Sequence, residues 1–296
     1  MKILRWVGRA LLVLVGIAVL AIGAVYAQSQ RLLARTAAAP ARKAPAVSAD
    51  SATLARGRTL MAASGCQGCH QPNLSGTVML DQPLIGRLVA SNLTSGKGGV
   101  LAHYDDRALD AAIRDGVGWD GRRLAIMPSN EFASLADDDV AAIIAFLRAQ
   151  TPADHELQGM GYGPALRAAL ALGKFAYPYD AIDHARATTP AAPRGATVEQ
   201  GRYLSMSCTG CHTTSFEGGP VHGSDKLAPN ITPSARIAHW SQAEFARLMR
   251  EGVRPDGSKV DPAMPWQSYR KLSDDEIAGL YLYLKTIPAK ATVARS

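Results

Sequence analysis

A five-residue cysteine–histidine pattern occurs twice in this chain, and it constrains the fold more than any other feature. The copies are CQGCH at residues 66–70 and CTGCH at residues 208–212. In such a pattern both cysteines add to the vinyl groups of a porphyrin as thioethers, and the histidine that follows is held beneath the iron. The sequence therefore predicts two covalently bound haem c groups.

The pattern also assigns residues to each haem. The predicted attachment residues are Cys66, Cys69, Cys208 and Cys211, and the predicted proximal iron ligands are His70 and His212. Because these are the only four cysteines in the chain, none remains for a disulfide or a reactive thiol. A zinc site built from two Cys-x-x-Cys pairs is the alternative use of four cysteines, but it would leave both histidines without a role.

The first thirty residues have the composition of a membrane-spanning segment. Lys2, Arg5 and Arg9 precede an uncharged stretch of eighteen residues, from 10 to 27. A spanning helix needs about 20 apolar residues and a signal-peptide core about 7 to 15, so this length favours a retained anchor. Small residues before Gln28 also offer a cleavage site, and a cleaved periplasmic form is therefore the alternative.

Haem attachment and charge predict the same compartment. Thioether attachment takes place outside the bacterial cytoplasmic membrane, and the basic residues before the span are expected to stay inside. We therefore expect the protein in the bacterial inner membrane, with its haem domains in the periplasm.

The net charge is +7, but residues 1–40 hold five basic side chains and no acidic one, which leaves +2 (seven minus five) elsewhere. This small remainder provides no basic patch for nucleic acid.

Most of the chain after the span is an internal repeat, offset at the haem pattern by 142 residues (208 minus 66). Further matched segments follow in the same order: GR at 57 and 201, N-x-T at 92 and 230, MP at 127 and 264, and LADDD at 135 against LSDDE at 272. Such self-similarity indicates a duplicated domain. We call residues 51–152 the first repeat and residues 198–296 the second repeat.

The repeat divides the chain into five predicted segments. Residues 1–30 are the membrane anchor or signal segment, and residues 31–50, rich in Ala and Pro, are a flexible tether. Each repeat is a domain of about 100 residues, enough for one core around a large apolar cofactor. Residues 153–197 are a linker rich in Ala, Gly and Pro, with one short helix in its middle.

Helical signals dominate inside both repeats, whereas sustained strand alternation is not found in the sequence. Apolar side chains at helical spacing predict a terminal helix in each repeat, through Val140, Ile143, Ile144 and Leu147 and through Ile277, Leu280, Tyr281 and Leu284. Ser241 and Ser273 each precede a glutamate by three residues, which predicts capping boxes, while Ala136 replaces the capping serine in the first repeat. We therefore expect an all-α fold with long loops around the haems.

A methionine followed by proline recurs in both repeats after the haem pattern. Met127 lies 57 residues after His70 (127 minus 70), and Met264 lies 52 residues after His212 (264 minus 212). A thioether is a soft ligand that suits haem iron, and compared with a second histidine it raises the reduction potential. We predict Met127 and Met264 as the distal iron ligands.

Histidines are the competing distal ligands. His103 and His239 recur at matched positions, but Tyr104 and Trp240 follow them and favour packed turns. Three further histidines have no counterpart in the other repeat, and we expect them to be ordinary loop side chains: His155, His184 and His222.

Several segments of the second repeat resemble a known family. They are APNITP at 228–233, WSQAEF at 240–245, GVRPDG at 252–257, PAMPW at 262–266 and LSDDE at 272–276. The chain resembles the cytochrome c subunit of bacterial membrane-bound alcohol and gluconate dehydrogenases, closely over the second repeat and more loosely over the first. The resemblance implies two tandem class I cytochrome c domains behind an N-terminal transmembrane helix, with the haem attachment and axial ligands assigned above.

The resemblance also implies a function. The chain is expected to be a periplasmic, membrane-attached diheme cytochrome c without substrate chemistry of its own. It would take electrons from a membrane-bound dehydrogenase and pass them to another cytochrome, quinone or a terminal oxidase. Members of this family commonly carry three haem modules, whereas this chain has two, which favours a cytochrome or an oxidase as acceptor. A diheme subunit of a haem-copper oxidase and a diheme peroxidase or thiosulfate-oxidising enzyme are the alternatives.

Overall fold

The computed structural model describes residues 2–221, 225–234 and 236–291, so that His222 lies outside it. The helices up to the end of the linker are α1 (Lys2–Leu33), α2 (Ser51–Ala63), α3 (Cys66–His70), α4 (Asp106–Asp115), α5 (Ser129–Phe132), α6 (Asp137–Arg148) and α7 (Pro164–Ala171). The second repeat contains α8 (Val198–Leu204), α9 (Thr209–His212), α10 (Gln242–Glu251), α11 (Trp266–Tyr269) and α12 (Asp274–Thr286). Single 3-10 turns lie at Leu101–His103, Pro178–Ala181, Ser205–Cys208 and Arg236–His239. The two repeats therefore have the same order of helices.

Short strands accompany the helices, so the expected all-α fold is correct only in its helical part. Strands β1 (Thr77–Gln82) and β2 (Gly86–Ala90) form an antiparallel hairpin, and β3 (Gly161–Tyr162) pairs with β2. In the second repeat, the described residues form only the two-residue strands β4 (Gly219–Pro220) and β5 (Leu227–Ala228). Neither strand of the hairpin alternates between buried and exposed side chains, and the register is irregular near its start. Its sequence therefore lacks the period-two alternation that predicts a strand.

In each repeat, the helix before the haem pattern packs closely on the terminal helix at a glycine. A Cβ atom built on Gly57 of α2 would lie 2.0 Å from the carbonyl oxygen of Ala142 in α6. A Cβ atom built on Gly201 of α8 would lie 1.9 Å from the carbonyl oxygen of Gly279 in α12. These distances leave no space for a larger residue. Each haem pattern follows one of these helices and is therefore held beside the core.

The predicted apolar stripes of the terminal helices lie in the two cores. Val140 and Ile144 of α6 are fully buried, and Ile277 and Leu280 of α12 are about as completely enclosed. Each core also contains side chains from the helices on either side of the haem pattern. The two amphipathic helices are thus confirmed.

The starts of the helices agree with the capping signals. Ser241 and Ser273 form complete capping boxes with the glutamates three residues further on. Ala136 provides no side-chain cap for α6, as predicted. Its backbone amide instead donates to the hydroxyl of Tyr203, 3.0 Å away in the second repeat. The hydroxyl of Tyr203 in the second repeat thus accepts a hydrogen bond from the start of a helix in the first repeat.

The last turns of α1 pack against the linker and the first repeat. Leu32 and Leu33 lie against the buried side chains of Ala125, Leu170 and Tyr177, and we call this apolar group the third cluster. The helix is long and apolar enough over residues 5–33 to cross a membrane. The C-terminal end of α1 is also held by a polar contact. The guanidinium of Arg167 in α7 donates a hydrogen bond to the buried hydroxyl of Ser29 in α1.

Residues 34–50, which follow α1, lie along the first repeat. The backbone amide of Ala37 donates to the carbonyl of Gly121 at 2.7 Å. Further on, Arg42 forms an ion pair with the fully buried carboxylate of Asp115. The expected flexible tether is thus attached to the surface of the first repeat, through a backbone hydrogen bond and through a side-chain ion pair.

Candidate haem-binding sites

Each haem pattern forms a short helix that ends in an unusual backbone conformation. The first pattern is α3, and the second spans the 3-10 turn at 205–208 and α9. The residues directly after the two histidines have positive φ angles, 69° at Gln71 and 64° at Thr213. Residues other than glycine rarely adopt such angles, and they concentrate at functional sites. The same strained turn in both repeats indicates that the site requires it.

The two predicted proximal histidines have the same hydrogen bond. Nδ1 of His70 lies 2.8 Å from the carbonyl oxygen of Ser91, and Nδ1 of His212 lies 2.8 Å from that of Pro229. A carbonyl oxygen can only accept, so Nδ1 carries the proton and donates it. The lone pair of Nε2 is therefore left free to bind a metal, which is the arrangement that metal-ligating histidines use.

Burial favours the neutral form of both imidazoles. It lowers the pKa of His70 and of His212, although the backbone hydrogen bond acts in the opposite direction. A neutral ring is the form that ligates iron. The structure therefore fits the proximal role that the sequence predicts for both residues.

Two buried asparagines hold the carbonyl groups that the histidines contact. The side-chain oxygen of Asn92 accepts from the amide and the hydroxyl of Thr94, at 3.0 and 2.8 Å. The oxygen of Asn230 accepts from the same groups of Thr232, at 2.8 and 2.7 Å. Each asparagine also donates to a backbone carbonyl beyond the terminal helix, of Ala153 and Lys290 respectively. These turns fix the position of residues 91 and 229, and hence the orientation of the two rings.

None of the four cysteines forms a disulfide. Burial raises the pKa of the Cys66 thiol to about 12 and that of the Cys208 thiol to about 11. Among residues 2–221, 225–234 and 236–291, no group of three His, Cys, Asp or Glu side chains is placed to hold a metal ion. The four cysteines are thus not gathered into one zinc site.

The two Met-Pro segments adopt the same turn. Pro128 has φ −79° and ψ 57°, and Pro265 has φ −81° and ψ 52°. The amide after each proline donates to the carbonyl of the methionine at 2.8 Å, which closes a tight three-residue turn. Proline suits the centre of this turn because it fixes φ and needs no acceptor.

Each methionine lies in the same core as the haem pattern of its own repeat. Met127 and Cys66 both pack against the first core, and Met264 and Cys208 both pack against the second. All four side chains are partly buried. The fold thus brings each predicted distal ligand to the core that holds its attachment residues.

The competing histidines are placed differently. His103 and His239 are exposed, and the ring of His103 stacks on that of Trp119 with 4.7 Å between the ring centres. His155 bonds to the carbonyl of Ser75, and His184 stacks on Tyr179. Among the described histidines, only His70 and His212 combine burial with a free Nε2 beside a haem pattern.

Sequence reasoning missed the backbone carbonyls that orient the two rings. Asn92 and Asn230 hold these carbonyls in the turns beside His70 and His212. The repeated Asn-x-Thr pattern could have revealed this role, since it follows both histidines, 22 residues after His70 (92 minus 70) and 18 residues after His212 (230 minus 212).

Comparison of the sequence with known proteins identifies the family of both repeats. A family model for cytochrome c matches residues 54–151 and 198–288. The chain is 27% identical over 279 residues to the gluconate 2-dehydrogenase cytochrome c subunit of Pantoea cypripedii, covering 82% of this chain and 61% of that protein. It is 32% identical over 110 residues to the fructose dehydrogenase cytochrome subunit of Gluconobacter japonicus, covering 33% of this chain and 23% of that protein.

A smaller relative contains two haems by its description. The diheme cytochrome c-type protein of Cereibacter sphaeroides is 26% identical over 114 residues, covering 34% of this chain and 37% of that protein. The chain spans less than two thirds of the length of all three relatives. The two family-model matches each contain one haem pattern, and the protein carries two covalently bound haem c groups. The chain belongs to the cytochrome c family.

Proposed function

We propose that this protein is a membrane-attached diheme cytochrome c that relays electrons and performs no substrate chemistry. The observation that carries the proposal is the repeated pair of a neutral, oriented histidine and a Met-Pro turn on one core. Each haem, when bound, supplies an iron that gains or loses one electron. His70 and His212 are the proposed proximal ligands, and Met127 and Met264 the proposed distal ligands. Closed in this way, neither iron keeps a position for a substrate.

The spectrum of the oxidised protein tests the distal ligands. Two methionine-ligated haems should show a weak near-infrared sulfur-to-iron band of the strength expected for two sites. Met127→Ala and Met264→Ala should each remove about half of this band, lower the potential of one haem and open it to cyanide. Covalent haem should remain in both variants, because the cysteines are untouched.

The exposed Met79 provides the matched control. Met79→Ala should leave the band and both potentials unchanged. A high-spin spectrum of the unaltered protein that responds to cyanide or peroxide would contradict the proposal and favour a peroxidase-like enzyme.

The proposed electron donor is a membrane-bound dehydrogenase. This part rests on the cytochrome c subunit of the gluconate 2-dehydrogenase, which aligns with 82% of this chain. The proposed acceptor is another cytochrome, quinone or a terminal oxidase. Purification of the tagged chain from bacterial membranes tests the assignment. We expect a dehydrogenase subunit to copurify, whereas a large haem-copper catalytic subunit that copurifies without any dehydrogenase would contradict it.

The proposed location is the bacterial inner membrane, with both haem domains in the periplasm. Helix α1 supports an anchor by its length and composition. We expect the full chain to remain in the membrane pellet after alkaline carbonate washing. Replacing residues 1–27 by a cleavable secretion signal should release a haem-loaded protein into the soluble periplasmic fraction. Release of the unaltered chain by carbonate would show that α1 is cleaved or does not span.

A further inference from the structure

The segment after Met127 lies against the haem pattern of the other repeat. Helix α5 begins two residues after Met127 and packs on the turn at 205–208 that leads into the second haem pattern. Close to it, the hydroxyl of Ser134 donates to the sulfur of Met206 at 2.6 Å. The first repeat therefore forms part of the wall around the second haem site.

One carboxylate of this segment faces the second haem pattern. A Cβ atom built on Gly210, between the two cysteines of the pattern, would lie 3.1 and 3.3 Å from the carboxylate oxygens of Glu131. The carboxylate of Glu131 thus lies against a residue between the two attachment cysteines of the second haem.

Among the described residues, no side chain lies against the equivalent glycine of the first haem pattern. Gly68 occupies the same place in the first pattern, and a Cβ atom built there would meet nothing within 4 Å. The residue four positions after Met264, which corresponds to Glu131, is the uncharged Ser268. The two repeats therefore differ in charge at a position that touches only one of the haem patterns.

In the described part of the chain, no counter-charge lies beside Glu131. Its side chain is partly buried, and within the described parts of the chain it has no ion-pair or hydrogen-bond partner. Burial accordingly raises its pKa above the ordinary value. A carboxylate that is shielded from water and lacks a counter-charge exerts a stronger field on its neighbours than an exposed one.

We propose that Glu131 of the first repeat lowers the reduction potential of the haem bound by the second repeat. Oxidation leaves the iron with one more positive charge, so a nearby carboxylate stabilises the ferric state. When the two haems together hold one electron, the lower potential of the second haem places that electron preferentially on the first haem. The effect is electrostatic, and no bond is formed or broken and no proton is transferred. The inference rests on the proposed function, since it assumes haem at Cys208, Cys211 and His212.

Spectroelectrochemical titration of the full-length, haem-loaded protein at pH 8 tests the inference. Glu131→Gln should raise the potential of the second haem, so that its ratio of ferrous to ferric iron at a fixed applied potential rises about tenfold. The reduction potential of the first haem should not change. Haem methyl resonances in proton NMR assign each potential to its haem. Glu199→Gln is the matched control, because it removes an exposed carboxylate from α8 of the second repeat.

The result that overturns the inference is an unchanged second potential in Glu131→Gln, or a shift no larger than in Glu199→Gln. A shift confined to the first haem would overturn it as well. The near-infrared band and the covalent haem content report separately on the proposed function. If the unaltered protein shows no such band or no covalent haem, the proposed function is refuted. If the band is present and Glu131→Gln leaves the potential of the second haem unchanged, only the role of Glu131 is refuted.

A second pair of variants tests the geometry without altering Glu131. Gly210→Ala places a methyl group against the carboxylate and should displace it, which raises the second potential in the same direction. Gly68→Ala places the same methyl group in open space and should leave both potentials unchanged. Equal shifts in the two variants would attribute the effect to the helix backbone and contradict the inference.

Discussion

Asn92 and Asn230 determine the orientation of the two histidine rings, although neither is hydrogen-bonded to a ring. Each holds an Asn-x-Thr turn whose preceding carbonyl accepts the Nδ1 proton. Both asparagines are almost completely buried, and their threonine partners are fully buried. A buried polar group that loses its partner costs about 1–3 kcal/mol. These turns therefore contribute to stability as well as to the site.

Replacing Asn230 tests this role. Asn230→Ala leaves the amide and hydroxyl of Thr232 without their acceptor, so we expect a loss of about 2 kcal/mol in the free energy of unfolding. We also expect a changed haem spectrum, because His212 is no longer held in one orientation. Urea unfolding and the visible spectrum measure the two effects. Asn130→Ala, at an exposed position, should change neither, and a silent Asn230→Ala would show that the turn is held by other contacts.

At the residue scale, the sequence predicts the cysteines, the proximal histidines and the Met-Pro pairs as site residues. Each of these signals is a side chain at a fixed spacing that recurs in both repeats. The carbonyls at Ser91 and Pro229 could not be predicted in this way, since any residue type supplies a carbonyl. Glu131 escaped prediction because its importance depends on contact between repeats, and its counterpart Ser268 carries no matching signal.

Two glycines fix how closely the paired helices approach in each repeat. Gly57→Ala and Gly201→Ala would place a methyl group about 2 Å from a backbone oxygen of the terminal helix. We expect each to destabilise the protein by about 3 kcal/mol, since the helices must separate and the core loses contacts. Gly159→Ala, which adds the same group in open space, should stay within about 0.5 kcal/mol of the unaltered protein. Denaturant unfolding measures all three, and equal stabilities would contradict the close packing.

At the element scale, predictability followed the strength of the periodic pattern. The two terminal helices and the short linker helix were predicted, because their apolar residues recur at helical spacing or follow a proline start. The hairpin of β1 and β2 was not, because neither strand alternates between buried and exposed side chains and their pairing includes an irregularity. Its third partner, β3, comes from the linker 71 positions after β2 ends (161 minus 90). Such a pairing has no local sequence signal.

Charged side chains join the two repeats into one molecule. Arg56 of α2 forms ion pairs with Asp139 of its own repeat and with Glu276 of the second repeat. Tyr203 of the second repeat donates its hydroxyl proton to Asp139 at 2.8 Å. Burial alone would raise the pKa of Asp139, but the hydrogen bonds and charge of Arg56 outweigh it and hold that pKa below its usual range. The ionised form of Asp139 therefore stabilises the contact between repeats.

This contact should weaken in acid. A carboxylate whose pKa is lowered by folding contributes stability that is fully present above its unfolded pKa, about 3.9, and is lost as the pH falls through its folded value. We expect the free energy of unfolding to fall below about pH 4, and Asp139→Asn to be less stable at pH 7 with a flatter pH dependence. Glu156→Gln, in an exposed ion pair, should behave like the unaltered protein. Parallel pH curves for all three would contradict the role of Asp139.

The third cluster limits how far the first haem can travel. Helix α1 continues unbroken to Leu33, its last turns pack on α7, and the residues after it are fastened to the first repeat at Ala37 and Arg42. No free length of chain is left between the proposed span and the haem domain. A redox partner would therefore meet this haem at a fixed height above the bilayer and in a fixed orientation. Partners whose own redox centre lies at a different height would be excluded by shape.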